Sequence, residues 1–315
     1  MTEKLNSDED FIELFEKKGA TGTAKILKAN VRGVNRRRRR LEIELGRRIH
    51  SPDLGVKTRT LYDHPARLVF DITDGQIIVG SDAHVWPHDR TTAQSAFIKF
   101  AKKLSPKIIV LNGDVLDGAT ISRHPSIGWE GKPSLAQEIQ AVNEFLDDIN
   151  KAAPNAKKVW TLGNHDARFE TKMANSIPEF DGVVGTTLKE QFPYWHFCWS
   201  SFMNDDLVIK HRFKGGIHAT HNNTMWSGRS IVTGHLHSLK VTPFTDYDGT
   251  RFGIDTGTLA NPDGDQFLNY TEDNPKNWRS GFIVLTFKQG RLLWPEIAHV
   301  IAPGEIEFRG EVISV

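Results

Sequence analysis

Three apolar runs in this chain stop on acidic, histidine or amide residues, and an amphipathic segment separates each run from the next. The runs are GQIIVGSDAH (75–84), PKIIVLNGDVLDG (106–118) and KKVWTLGNHD (157–166). The first intervening segment, TTAQSAFIKFAKKL, sets Ala96, Phe97, Phe100, Ala101 and Leu104 on one side of a helix. The second, SLAQEIQAVNEFLDDINKA, carries Leu135, Ile139, Val142, Phe145, Leu146 and Ile149 as its apolar stripe. Strand, helix, strand, helix, strand predicts an α/β sheet with crossover helices. In such sheets functional side chains gather beyond the carboxyl ends of the strands. Two further runs follow the same rule: DDLVIKH ends at His211, and RSIVTGHLHS carries His235 and His237. The remaining β pattern is hairpin-like, with turns at Asp248-Gly249 and Gln289-Gly290.

At 315 residues, 38% hydrophobic and 25% charged, the chain suits one large domain plus a small one. No apolar run reaches the length of a membrane span, and the polar start MTEKLNSDED lacks a signal-peptide core, so no membrane partner is expected. A single cysteine, Cys198, forbids an intrachain disulfide and fits a reducing cytoplasm.

Net charge is only +1, yet Lys17 to Arg48 holds twelve basic residues against two acidic ones. This asymmetry predicts an appended basic module. DEDFIELFEKKG reads as a helix with Ser7 or Asp8 as N-cap and Gly19 as C-cap, ATGTAKILKA as a second helix capped by Thr21, and VNRRRRRLEIELGRRI as a third ending near Gly46. Three short helices with a basic third one resemble a helix-turn-helix DNA-binding unit. Arg32, Arg36, Arg37, Arg38, Arg39 and Arg40 are its candidate nucleic-acid contacts, suited to phosphates more than to base edges.

The polar strand ends collect Asp82, His84, Asp114, Asp117, Asn164, His165, Asp166, His211, His235 and His237. With a period of two, Asp82 and His84 are expected to point the same way, and so are His235 and His237. Mixed carboxylate, imidazole and amide donors suit Mn, Fe or Zn better than Ca, and they are too many for one ion. A carboxylate such as Asp114 can bridge two ions.

These blocks resemble the calcineurin-like metallophosphoesterases, whose pattern is D-x-H, G-D-x-x-D, G-N-H-[DE], a lone His, then G-H-x-H. Here they are DAH at 82–84, GDVLD at 113–117, GNHD at 163–166, His211, and GHLH at 234–237. The resemblance implies a four-layer α/β/β/α sandwich over residues 76–302. Residues 1–50 would then be the helix-turn-helix-like basic module, 51–75 a linker and lead-in, and 303–315 a C-terminal tail. It further implies two divalent metal ions, Mn first, with Fe, Zn or Ni as alternatives. Asp82, His84 and His237 would bind one ion, Asn164, His211 and His235 the other, and Asp114 both. A hydroxide held between the ions would attack phosphorus. His165 would act on the phosphoryl or leaving oxygen, and Asp117 would fix its tautomer. The architecture looks similar to phage-encoded phosphoesterases, which would act in the host cytoplasm.

Several readings stay open on the residues alone. His218 and His221 rival His211, which is preferred because it closes a strand. Asp166 is expected to cap the helix after it. His88, His124 and His196 read as ordinary histidines, although His124 beside Arg123 lies near the site loop. Family members that dephosphorylate proteins often carry Arg after the second Asp of G-D-x-x-D; here that residue is Gly118. A terminal phosphate dianion profits most from such a clamp, so its absence leans toward a diester, with Arg123 or Arg168 as possible substitutes. Trp86 and Trp129 are candidate stacking surfaces or plain packing residues. The expected activity is a phosphodiesterase or nuclease acting on DNA. The alternatives are a phosphomonoesterase or nucleotide phosphatase, and a DNA-binding regulator on an inactive scaffold.

Overall fold

The computed structural model describes residues 7–47, 49–52, 57–59, 66–87, 90–124, 128–129, 131–204, 206–267, 271 and 274–315. Two sheets lie face to face. The first runs in the order Lys57–Arg59, Arg67–Asp71, Ser200–Met203, Leu207–Ile209, Ser230–Thr233, Gly249–Asp255, Lys240–Asp246. The second runs Glu311–Ser314, Glu305–Phe308, Glu296–Ala302, Gly281–Lys288, Gly75–Gly80, Ile108–Leu111, Lys157–Thr161, His196–Cys198, with Arg291–Leu292 paired to Gly281–Lys288. The three apolar runs that open the sequence pattern are its parallel centre: Gly75–Gly80 pairs with Ile108–Leu111, which pairs with Lys157–Thr161.

These strands are apolar on both faces because both are covered. Ile77, Val79, Val110 and Val159 face the first sheet, meeting Met203, Ile209, Val232 and Ile254 in a core between the sheets. Ile78, Ile109, Leu111 and Trp160 face outward onto Phe97, Phe100, Val142 and Phe145 of helices Thr92–Leu104 and Leu135–Ala152. Both helices begin with a capping box, Thr91 with Gln94 and Ser134 with Gln137. Helix Ala219–Ser227 covers the far side of the first sheet. The result is the α/β/β/α sandwich expected from the resemblance. The hairpin turns are also where the sequence puts them, with Gly249, Gln289 and Gly290 all at positive φ.

Two segments differ from expectation. Residues 303–315 are no tail: Glu305–Phe308 and Glu311–Ser314 form an antiparallel hairpin that extends the second sheet. Residues 51–75 are more than a linker, because Lys57–Arg59 and Arg67–Asp71 pair at the edge of the first sheet.

At the N-terminus, helix Asp8–Leu27 starts at the Ser7 cap and is kinked at Gly19, where φ is 67° and ψ is 177°. The non-helical backbone at Gly19 therefore divides two helical stretches, where the sequence places a C-cap, and Thr21 lies within the second. Helix Val31–Leu45 ends at Gly46. The two helices share a cluster of their own, including Phe11, Phe15, Val34 and Leu41. Among the described residues, no helix is long and apolar enough to cross a membrane.

Candidate metal centre

The strand-end residues converge on one side of the sandwich, but not by strand periodicity. Asp82, His84, Asp114, His235 and His237 all lie past the strands with φ of 51°, 36°, 52°, 71° and 56°. The left-handed region is sparsely used by residues other than glycine, and Asp and His tolerate it better than most. The loops are laced together by their backbones: Asp82 N–H donates to Gly113 O at 2.9 Å and His84 N–H to Asp114 O at 3.0 Å. Asp82 and His84, and likewise His235 and His237, are thus brought together by left-handed loop backbone and not by the period of a strand.

Three overlapping groups result: Asp82, His84 and His237; Asp114, His211 and His235; and His84, Asp114 and His165. His237 Nε2 lies 3.0 Å from Asp82 Oδ1, and His211 Nε2 lies 3.0 Å from Asp114 Oδ2. Two ligands set at right angles about an ion, each ~2.1 Å from it, are separated by about that distance. Asn164 Oδ1 is buried with no hydrogen-bond partner among the described residues. Buried polar atoms are normally paired, so an orphan oxygen beside a carboxylate–imidazole cluster fits a metal ligand. The charge balance fits as well. Burial works against a charge on His211, yet the Asp114 and Asp82 carboxylates outweigh it and push the imidazole up to about 10. A divalent cation answers the same demand for positive charge.

The three candidates for the lone histidine differ in position. His211 is buried and its Nδ1 donates to Asn112 O at 2.7 Å, which directs Nε2 at Asp114. His218 and His221 are exposed.

Asp117 touches two imidazoles. Its Oδ1 lies 2.7 Å from His84 Nδ1 and 3.1 Å from His165 Nδ1. For His84 this leaves Nε2 for a metal. His165 Nδ1 also lies 3.0 Å from Asp117 O, and its Nε2 is 3.1 Å from Arg168. Burial opposes a charge on His165, but the Asp117 hydrogen bond and the Asp114 and Asp117 charges raise its pKa. Arg168 also donates to Asp117 O at 2.9 Å, so it belongs to the site. Arg123 and His124 do not reach it: both are exposed on the loop after Ala119–Ile121. Trp86 borders the cavity that reaches His84, whereas Trp129 is exposed. His196 is exposed on its strand, and His88 lies outside the described residues.

Asp166 overturns its expected role. It does not cap the next helix, whose N-cap is Ala167 without a side-chain bond. Its carboxylate is buried and accepts five donors: Asp114 N at 2.8 Å, Val115 N at 3.0 Å, Leu116 N at 3.1 Å, Gly163 N at 2.8 Å and Trp160 Nε1 at 3.0 Å. It ties the GDVLD loop to the GNHD loop. Three supporting residues escaped the sequence reading. Asn112 orients His211. Asp255 accepts Ser238 N and Gly257 N, each at 3.0 Å, behind His237. Glu138 accepts Gly118 N at 2.6 Å and Ala119 N at 3.0 Å, just beyond Asp117. The only sequence signal for Glu138 was a carboxylate facing inward on an otherwise apolar helix face.

The arginine run is largely occupied from within. Arg37 pairs with Asp8 at 2.6 Å and lies over Phe11, while Arg38 lies over Phe15. Arg39 reaches Asp206 at 3.3 Å, and Arg40 reaches Asp8 at 3.2 Å. Arg32 and Arg36 are exposed.

The family profile described as calcineurin-like phosphoesterase matches residues 75–251. Among solved structures, a dimetal phosphatase from Danio rerio aligns at 10% identity over 78% of this chain and 99% of that chain, with a TM-score of 0.30. No curated protein matches the chain.

Proposed function

This chain belongs to the calcineurin-like phosphoesterases and is thus a metal-dependent phosphoesterase, and on that footing we propose that it is a phosphodiesterase acting on DNA. Asp82, His84 and His237 are the proposed ligands of one divalent ion, Asn164, His211 and His235 of the second, with Asp114 common to both. Mn is the first choice, followed by Fe, Zn or Ni, since the donors mix carboxylate, amide and imidazole. When bound, such ions lower the pKa of a coordinated water and neutralise charge on the phosphoryl oxygens.

The chain's own residues do the rest. His165 stands over the common carboxylate, with Nε2 4.0 Å from Asp114 Oδ2. Its Nδ1 is held by Asp117; once protonated, Nε2 no longer accepts from Arg168 and can donate to the leaving oxygen. A proton is favoured on this imidazole because Asp117 and Asp114 outweigh its burial.

The observation that carries the diester reading is the state of Arg168. Its guanidinium is tied to Asp117 O at 2.9 Å, and Gly118 stands where a phosphate clamp would be. A terminal dianion gains most from a free bidentate Arg, whereas a diester, with one negative charge, needs it less. The basic N-terminal helices favour DNA as the polymer, through the exposed Arg32 and Arg36 and through exposed ion pairs such as Arg40 with Asp8, which exchange readily for phosphate.

The test is an assay of the full chain with Mn on a chromogenic diester, on the matching monoester and on DNA. Diester and DNA cleavage above monoester turnover is expected. Monoester turnover well above diester turnover would identify a phosphatase instead. Absence of bound metal and of both activities would leave an inactive scaffold.

A further inference from the structure

Residues 207–245 contain no Asp or Glu, but five Lys or Arg and five His. The segment runs from strand Leu207–Ile209 through helix Ala219–Ser227 and strand Ser230–Thr233 into Lys240–Asp246. It also carries the candidate ligands His211, His235 and His237. Outside the basic N-terminal segment the chain is net acidic, so an acid-free stretch beside the metal centre stands apart from its surroundings.

Its exposed side chains alternate between cations and rings. Lys214 Nζ lies 4.8 Å from the centre of the Trp226 ring and 5.8 Å from that of Phe213, and Lys210 Nζ lies 5.2 Å from the latter. Trp226 is 70% exposed, far more than packing requires of an indole. Lys240 donates to Ile217 O at 3.0 Å, and Arg279 donates to Ser238 O at 3.2 Å. Among the described residues, none of Lys210, Arg212, Lys214, Lys240 and Arg279 pairs with a carboxylate. The contrast is with Arg37, Arg39 and Arg40, which are all held by acids.

A cavity of about 530 Å³ is lined by Ile217, Leu236, Leu239 and Trp278 together with Lys240 and Arg279. The Trp278 ring centre lies 4.5 Å from that of His237, so the cavity adjoins the candidate ligands. An apolar slot with an indole wall and two cations free of acids has the chemistry of a base-and-phosphate subsite. Duplex DNA hides its base faces, whereas a single strand offers them for stacking.

We propose that this acid-free face binds single-stranded nucleic acid, seating one unstacked base in the Trp278 cavity, another on the exposed Trp226 ring, and phosphates on Lys214, Lys240 and Arg279. It deepens the phosphodiesterase reading, on which its position next to the reacting phosphate rests.

The experiment measures binding, not cleavage. Anisotropy of a fluorescein-labelled single-stranded oligonucleotide is followed with the full chain in EDTA, across a salt series. Trp226→Ala is expected to weaken binding about tenfold, within the range for one lost stacking contact. Lys214→Ala, Lys240→Ala and Arg279→Ala should each reduce the slope of log K against log salt by about 0.7. All four variants should keep wild-type far-UV circular dichroism, which separates lost binding from lost fold. No binding by the wild type, wild-type affinity in all four variants, or equal competition by blunt duplex would overturn the proposal. Strand binding that depends on these four residues, in a protein that cleaves no diester with Mn, would sustain the proposal while refuting the phosphodiesterase reading.

Discussion

Gly163 and Asp114 approach so closely that a methyl group on residue 163 would lie 2.1 Å from Asp114 Oδ1. The glycine of the GNHD block is thus required by the carboxylate of the GDVLD block. Gly163→Ala must displace Asp114, whose Oδ1 also accepts His165 N at 2.8 Å. Metal content by elemental analysis should fall below two ions per chain, while far-UV circular dichroism stays native. A fully loaded Gly163→Ala protein would show that Asp114 is not a ligand.

Asp166→Asn tests the buried hub. One carboxylate oxygen accepts two donors and the other accepts three, so an amide in either orientation leaves at least two donors facing a donor. A loss of about 3 kcal/mol in unfolding free energy is expected from denaturant titration. A change near zero would mean the hub is dispensable.

How far the sequence reaches depends on what kind of contact is involved. The parallel strands were legible because an unbroken run such as IIVL can be buried on both faces, and the site was legible because its blocks close those strands. Asp166 was not, since a residue preceding a helix looks like a cap, while three of its five donors come from residues 114–116, far along the chain. The last hairpin was missed because EIEF and EVIS are short and mostly polar on one side. The pairing of the arginine run was hidden for a related reason: its acidic partners Asp8 and Asp206 lie in other elements, and such pairings are tertiary.

Asp117→Asn probes the shared carboxylate. It should weaken metal binding about 10- to 100-fold by releasing His84. It should also lower kcat at saturating metal by freeing His165. A drop in affinity with kcat unchanged would separate the two contacts and remove Asp117 from the chemistry.

Glu138 makes stability depend on pH. Burial, reinforced by the Asp117 charge and opposed by two backbone donors, pushes its carboxyl from 4.5 up to about 7. The folded state therefore holds this proton more tightly than the unfolded chain. The contribution is complete below about 4.5 and is lost as pH rises through about 7. Melting temperature measured across that window should carry a downward component with rising pH that Glu138→Gln lacks. Identical profiles for the two proteins would refute the shift.

Metal binding should stabilise the fold by mass action. At a hundredfold excess of Mn over its Kd, about 2.7 kcal/mol is expected per site. EDTA should reverse the gain in melting temperature and abolish turnover, and His165→Ala should keep the gain while losing about 10²- to 10⁴-fold in kcat. If His165→Ala loses the Mn-dependent gain, the histidine is a ligand.

The left-handed backbone at Asp82, His84, Asp114, His235 and His237 bears on how this centre can be dismantled. Alanine at these positions removes a donor atom and at the same time places an unsuited residue in a conformation that costs roughly 1 kcal/mol or more. An inactive alanine variant would therefore confound chemistry with folding. Asparagine keeps both the size of aspartate and a tolerance for that backbone, so Asp82→Asn and Asp114→Asn are the cleaner subtractions. The same asymmetry narrows the routes by which the centre could decay: a ligand can be exchanged for asparagine or glycine at little conformational cost, but hardly for a β-branched residue.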